Sequence, residues 1–294
     1  MRVFVTGAAG FIGTATTREL IGNGHEVLGL ARSDANAEAL EKMGAKVHRG
    51  SLDDLDSLRN GAKQTDGTIH LAFIHDFSKF AENGQIDKRA IDAMGEALEG
   101  TGKPFIVTSG TLLVAPGKLA TEVDPVAPGF PRVSETAGLA FAARGVRAMA
   151  MRLPQVHGGD GKCGLVNWLL AIAREKGVAG YIGEGGNRWS AAHRLDVARL
   201  YRLALEKGVA GTSYHAVADE GVPARDIAEI IGRHLGLPVA SILQNEAAAH
   251  FGTMAMFAGM DGAASSALTQ QWLGWKPSQI GMIADISRPG YFAE

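Results

Sequence analysis

The sequence predicts an α/β fold, a parallel sheet doubly wound with helices on both faces. Three observations carry this. The chain opens with a short apolar, β-branched run, Arg2–Thr6, that enters a glycine turn and then a helical pattern. Comparable strand-like runs then alternate with helical patterns as far as residue 153, the rhythm of repeated βαβ units. The composition, 46% hydrophobic and 20% charged over 294 residues, suits a globular chain with ample material for a core.

The first unit is the most informative. Gly7, Gly10 and Gly13 stand in Thr-Gly-Ala-Ala-Gly-Phe-Ile-Gly. Ile12, Thr16 and Leu20 follow at four-residue steps, one face of a helix, and Gly22, Asn23 and Gly24 stop it. A turn without Cβ atoms lets backbone N–H groups approach a pyrophosphate, and the helix N-terminus adds unpaired N–H groups and a partial positive charge. Gly13 is expected to let the helix pack close to the strand. The strand before and the helix after are the context this glycine spacing needs to mean a dinucleotide.

Residues Thr6–Gly13, TGAAGFIG, resemble the fingerprint of extended and atypical short-chain dehydrogenases/reductases, the NAD(P)-dependent epimerase/dehydratase superfamily. The resemblance implies a Rossmann-type sheet with a smaller C-terminal substrate lobe, and Gly7, Gly10, Phe11, Ile12 and Gly13 at the cofactor. On this reading residues 1–157 form the NAD(P)-binding domain, with 188–220 returning to it. Residues 158–187 and 221–294 form the substrate lobe.

Glu26–Ala31 reads as the second strand, ending Ala31-Arg32-Ser33. In dinucleotide folds an acidic residue at this end holds the ribose 2′-hydroxyl, whereas an Arg accommodates a 2′-phosphate. The acid is missing and Arg32 follows at once, so NADPH is expected over NADH, with Arg32 as phosphate ligand and Ser33 assisting. A helix over 35–43 and a third strand over Lys46–Arg49 come next. Gly50-Ser51-Leu52-Asp53 resembles the Gly-Asp-Leu segment that lines the adenine, with Ser51 in place of the usual Asp and Leu52 against the base. Asp53 reads equally as a helix N-cap.

Thr68–Leu71 reads as the fourth strand, and His70-Leu71-Ala72 is similar to the family's His-Leu-Ala segment, which implies Leu71 and Ala72 at the cofactor. The loop 73–80 leaves that strand's C-terminal end, where ligands bind in open α/β sheets, and His75 on it is a candidate substrate contact. A helix is expected over 86–98 and a fifth strand over 103–108. Its exit, Val107-Thr108-Ser109-Gly110-Thr111, matches the family position of the catalytic Ser or Thr, with Thr108 facing the cofactor. A one-residue shift chooses between Ser109 and Thr111.

The sequence departs from the family pattern at the acid/base. Aligning Ser134 with the Ser that precedes the family's Lys puts Pro131 where the Tyr of Tyr-x-x-x-Lys belongs and Glu135 where the Lys belongs. Tyr occurs only at 181, 201, 214 and 291, and none begins the motif. Val146–Leu153 reads as the sixth strand. Arg152–Gly158, RLPQVHG, resembles Arg-Pro-x-Asn-Val-Tyr-Gly, which implies Leu153 and Pro154 at the nicotinamide end and His157 at the usual Tyr. His157 is a candidate proton donor, since imidazole titrates near neutral pH, or a loop histidine with a structural hydrogen bond.

Gly158–Gly164 reads as a glycine-rich link and 165–174 as an apolar helix. Residues 189–197 resemble the segment that returns to the nucleotide domain, with Asp196 orienting a helix over 197–206. Arg188, Trp189 and His193 fall where relatives build substrate pockets. Phe251, Met254, Met256, Phe257 and Met260 are either plain core of the small lobe or an adaptable apolar wall. Leu273-Gly274-Trp275-Lys276-Pro277 is similar to a C-terminal packing segment of the family.

Lys plus Arg number 29 and Asp plus Glu 31, which gives no footprint for nucleic acid or an anionic membrane. One cysteine, Cys163, excludes an intramolecular disulfide and a multi-cysteine metal site, and no metal is expected. No signal peptide and no membrane-length apolar run are read, so a cytoplasmic chain is expected. The resemblance implies a homodimer. The expected function is NADPH-dependent reduction of a small carbonyl compound, with Ser109 or Thr111 holding its oxygen and His157 or water supplying the proton. The alternatives are a non-catalytic NADP(H) sensor, an isomerase that keeps the cofactor as scaffold, and a nucleotide-sugar epimerase or dehydratase. The last leans on the missing Tyr and Lys.

Overall fold

The computed structural model describes residues 1–159 and 164–292. Cys163, and most of the glycine-rich link expected around it, lie outside the described residues. The first half alternates strictly: β1 (Arg2–Thr6), α1 (Phe11–Gly22), β2 (Glu26–Ala31), α2 (Asp34–Lys42), β3 (Lys46–Arg49), α3 (Leu55–Lys63), β4 (Gly67–His70), α4 (Phe80–Leu98), β5 (Pro104–Gly110), α5 (Ser134–Leu139) and β6 (Arg147–Leu153). There follow β7 (Gln155–His157), α6 (Leu165–Lys176), β8 (Ala179–Ile182), β9 (Arg188–His193), α7 (Arg194–Lys207), β10 (Ser213–His215), β11 (Asp219–Pro223), α8 (Ala224–Leu235) and β12 (Val239–Ile242). Four short helices close the chain, α9 (Ala247–Phe251), α10 (Ala255–Ala258), α11 (Ala267–Leu273) and α12 (Met282–Ile286).

Seven strands form one sheet in the order β3-β2-β1-β4-β5-β6-β10, every neighbouring pair parallel. The winding direction reverses between β1 and β4, which opens a crevice at the C-terminal ends of those strands. Both faces are covered over the central strands, and β1 and β2 read as nearly continuous apolar runs. Val3, Val5, Ile69, Ile106 and Met149 pack with Leu20 of α1 and Tyr201 of α7. The alternate residues Phe4, Leu28, Phe105, Val107 and Ala148 pack with Leu58 of α3 and Met94 of α4. This is the doubly wound parallel sheet that the alternation predicts.

A second core joins Leu169, Trp189, Ile227, Phe251 and Met254, with a three-stranded sheet β11-β9-β7 and a pair β12-β8. The C-terminal segment is tied back to the first. Trp275 is fully buried, its Nε1 donates to the Asp196 carbonyl at 3.0 Å, and the Asp196 carboxylate accepts from the Gln279 N–H at 2.9 Å. Among the described residues no helix is long and apolar enough to cross a membrane.

Two boundaries differ for identifiable reasons. α4 begins at Phe80 rather than 86 because tertiary contacts override the weak helix formers Asn83 and Gly84. Asn83 donates to the Asp76 carbonyl at 2.9 Å, and a Cβ at Gly84 would meet the Pro131 carbonyl at 2.7 Å. The cap of α3 is Asp54, whose carboxylate accepts from the Ser57 N–H at 3.0 Å, not Asp53.

Candidate functional site

The crevice at the end of β1 is shaped by its glycines. Gly7 has φ +68°, and a Cβ there would stand 2.8 Å from the Ala72 nitrogen. A Cβ at Gly13 would stand 1.9 Å from the Gly7 carbonyl oxygen, so Gly13 seats the helix on the turn itself rather than on the strand. Gly10 caps α1 without a side chain, and the first turn holds no acid. The N-terminus of α1 is therefore left with bare N–H donors and its positive dipole end facing the turn. This backbone cradle fits a dinucleotide pyrophosphate, and a side chain at Gly7 would strike the Leu71–Ala72 backbone beside it.

The cradle opens into a cleft of about 550 Å³. Gly7, Gly10, Phe11, Ile12, Gly13 and Leu71 line one end, Leu153 and Pro154 the far wall, and Thr108 and Ser109 the floor between them. Ala72 does not line the cleft but packs against the turn, its N–H donating to Thr6 Oγ1 at 3.2 Å. Of the two candidate hydroxyls, Ser109 lines the cleft and makes no side-chain hydrogen bond among the described residues. Thr111 is fully buried, 2.9 Å from Ser190 Oγ and 3.3 Å from the Leu153 carbonyl, outside the cleft. Thr108 spends its hydroxyl on the His70 carbonyl at 2.6 Å and faces Tyr201 Oη at 2.8 Å. Burial pushes the Tyr201 phenol well above its ordinary pKa, so it is no substitute for the absent family tyrosine.

The structure adds a residue that the motifs missed. Arg132, one position after Pro131, lines the cleft. Its Nε donates to Ser134 Oγ at 2.9 Å and its Nη2 to the Thr108 carbonyl at 2.8 Å. Its guanidinium stacks 4.0 Å over the Phe73 ring. Nη1 makes no hydrogen bond among the described residues. Behind it, Ser134 Oγ donates to Asp87 Oδ2 at 2.5 Å, Asp87 Oδ1 lies 3.2 Å from His70 Nε2, and His70 Nδ1 lies 2.7 Å from Thr6 Oγ1. Burial alone would raise the Asp87 carboxyl, but His70, Arg132 and Ser134 overcome it and hold the pKa below its ordinary value. A buried carboxylate thus stands behind the guanidinium and fixes it. Burial lowers the Arg132 pKa from its ordinary value, Asp87 opposes this, and the group remains a cation.

Five aromatic side chains, Phe73, Phe77, Phe80, Trp168 and Phe257, join the lining together with Leu112, Leu113, Val156, Leu165 and Asn167. Of the apolar residues expected as core or wall, Phe251 and Met254 are core, whereas Phe257 reaches the cleft. His75 sits on the rim, where burial and the Arg132 cation both hold its imidazole below the ordinary value. Among the described residues lining the cleft there is no carboxylate, lysine, tyrosine or cysteine.

Several residues singled out in the sequence are placed elsewhere. His157 is buried on β7, its Nδ1 2.8 Å from Asp285 Oδ2, and does not line the cleft. His193 accepts from the Leu195 N–H at 3.2 Å and so caps α7, its ring edge-on to His157 at 5.4 Å. Arg188 grips Asp261 at 3.0 and 2.9 Å, and Trp189 is buried in the second core. The reason is shared: β9 is the middle strand of the small sheet, so its side chains are spent on packing rather than on the cleft. Arg32, Ser33, Ser51 and Leu52 stand beyond the cleft around the ends of β2 and β3. Ser33 Oγ accepts from the Asn36 N–H at 3.3 Å as the cap of α2, and Leu52 packs on the core beneath α3. Arg32 is exposed and has no partner among the described residues, and Asp34 beside it is paired to Arg49 at 2.7 Å.

Comparison with known proteins bears on this geometry. The model of the NAD dependent epimerase/dehydratase family matches residues 3–218. The chain is 49% identical over 295 residues to an uncharacterized protein of Schizosaccharomyces pombe, covering 99% of this chain and 100% of that protein. It is 28% identical over 247 residues to a decarboxylating sterol-4-alpha-carboxylate 3-dehydrogenase of Dictyostelium discoideum, covering 76% of this chain and 73% of that one. In fold it is similar to a double mutant of dTDP-glucose 4,6-dehydratase from Streptomyces venezuelae with NAD and DAU bound. That match has a TM-score of 0.78 at 20% identity, over 100% of this chain and 97% of the other.

Proposed function

This chain belongs to the NAD dependent epimerase/dehydratase family, and we propose that within it the protein is an NADPH-dependent oxidoreductase that reduces a small carbonyl compound. The observation that carries this reading is the continuity of one cleft. The glycine cradle lies at one end, and the unengaged Ser109 hydroxyl and the Arg132 guanidinium lie beyond it. The family match and the dehydrogenase among the relatives support redox chemistry.

When bound, NADPH supplies a hydride. Gly7, Gly10 and the first turn of α1 hold its pyrophosphate, and Arg32, unpartnered and without a competing acid, takes the 2′-phosphate. Leu153 and Pro154 wall the nicotinamide end. Ser109 donates a hydrogen bond to the substrate carbonyl oxygen. Arg132, held by Asp87 through Ser134, stabilises the negative charge that builds on that oxygen, as an oxyanion donor does. His75, the imidazole among the described lining residues, passes the proton directly or through a water. This assignment replaces His157, which is spent on Asp285.

Steady-state turnover of NADPH with a panel of small ketones and aldehydes tests the reading. Turnover dependent on a carbonyl compound is expected. Saturable NADPH binding with no turnover on any carbonyl would favour a sensor instead.

A further inference from the structure

Resting on the reductase reading, we propose that the substrate half of the cleft takes a ring-bearing, weakly polar carbonyl compound, such as an aryl ketone, rather than a nucleotide sugar. The wall is assembled from distant parts of the chain. Phe73 and Phe77 come from the segment after β4, Phe80 from α4, Trp168 from α6 and Phe257 from α10. Their rings form one connected surface: Phe73 to Phe80 at 6.0 Å, Phe77 to Trp168 at 5.5 Å and Phe77 to Phe257 at 5.2 Å, mostly edge to face. Aromatic clusters of this kind normally close on themselves in a core. This one does not, for Trp168 remains 41% exposed and Phe73, Phe77 and Phe80 are only partly buried along the cleft.

Charge complementarity points the same way. Beyond the glycine cradle the described lining offers one fixed cation, Arg132, and no carboxylate. Gln155 spends its Oε1 on the Leu165 N–H at 2.9 Å, so its amide nitrogen and Asn167 are the neutral polar side chains of that half besides Thr108 and Ser109. A second diphosphate and a ring of sugar hydroxyls would find few partners here, and burying them unpaired is costly. A flat apolar ring would instead gain offset or edge contacts with the wall. Its carbonyl would reach Ser109 and Arg132 beside Phe73. The reaction balances with what the reading names: hydride adds to the carbonyl carbon, the C=O π pair moves to oxygen, one proton joins that oxygen, and alcohol and NADP⁺ leave.

Calorimetric titration of the NADP⁺-loaded protein, where no turnover occurs, tests the proposal with 2-acetonaphthone, pyruvate and UDP-glucose as probes. 2-Acetonaphthone is expected to bind tightest of the three. Trp168→Ala and Phe77→Ala are each expected to weaken it by roughly tenfold, the scale of a lost aromatic contact with its buried area. Trp168→Phe should restore most of the loss, and NADP⁺ affinity should stay within about twofold in all three variants. Tighter binding of UDP-glucose, or 2-acetonaphthone affinity unchanged in both alanine variants, would overturn the proposal. Binding as expected with no NADPH oxidation would uphold the ring-bearing ligand while contradicting the reductase reading. Turnover of pyruvate with no 2-acetonaphthone binding would do the reverse.

Discussion

Glu135 holds Arg152 in a two-pronged buried ion pair, Nη2 to Oε1 at 2.6 Å and Nε to Oε2 at 2.9 Å. The pair joins α5 to β6. Ser213 Oγ adds a third bond to Oε1 at 2.9 Å, and Arg152 Nη1 lies 3.0 Å from His215 Nε2. A lysine at position 135 should therefore damage this protein. Glu135→Lys would face Arg152 with a second buried cation, and a loss on the order of 3–5 kcal/mol is expected, the scale of a broken buried pair. Urea unfolding checks this, and an unchanged midpoint would contradict it.

Gly10→Asp should abolish NADPH binding while the protein folds. Gly10 has φ −77° and ψ 179°, open to any residue, and a Cβ there meets only the Gly7 carbonyl at 3.1 Å. The new carboxylate would sit among the donors meant for pyrophosphate. A loss of affinity of about 100-fold or more is expected by nicotinamide fluorescence, the equivalent of roughly 3 kcal/mol. Wild-type affinity in a folded variant would remove the cradle from the account.

Arg32→Ala should narrow the preference for NADPH over NADH by roughly 1–3 kcal/mol, the range for a charge-assisted hydrogen bond. NADH affinity itself should barely move. Competition binding with the two cofactors measures both, and a wild-type preference for NADH would contradict the role given to Arg32.

The pH dependence of reduction separates the two histidines. A group that donates a proton works while protonated, so the rate is highest below its pKa and falls as pH rises through it. His75 is held below the ordinary 6.5 by burial and by Arg132, which puts the falling limb on the acid side of neutrality. His75→Asn should flatten that limb and lower turnover by roughly 10²-fold. His157→Asn should leave the limb in place and instead cost stability, because it strips a partner from the buried Asp285. Survival of the limb in His75→Asn, or its loss in His157→Asn, would reverse the assignment.

The nucleotide half of the molecule was legible because its signals are local. Glu26–Ala31 is a strand as read, since a strand covered on both faces is a plain apolar run between turn residues, and Lys46–Arg49 is the half-exposed edge strand beside it. The glycine spacing located the cradle because its signal is local: a Cβ at Gly13 would strike the same turn, and one at Gly7 the adjoining loop. The substrate half was not legible. Phe73, Trp168 and Phe257 meet only through tertiary packing, and no spacing rule joins them. Arg132 sits in a segment where the family pattern draws attention to Pro131 and Glu135 on either side. His157 and Trp189 attracted notice by nearness to a motif, but His157 pairs with Asp285 and Trp189, opposite Val222 of β11, packs in the second core.

The central claim is that hydride passes from NADPH to a carbonyl carbon held by Ser109 and Arg132. Single-turnover reduction with NADPH deuterated at nicotinamide C4, followed by mass spectrometry of the product, tests it most directly. Deuterium from one face of the nicotinamide should appear on the carbinol carbon. Ser109→Ala and Arg132→Gln should each slow its appearance by roughly 10²-fold, the scale of one lost oxyanion donor, with NADPH affinity retained. Product free of deuterium from either labelled face, or transfer at the wild-type rate in both variants, would contradict it.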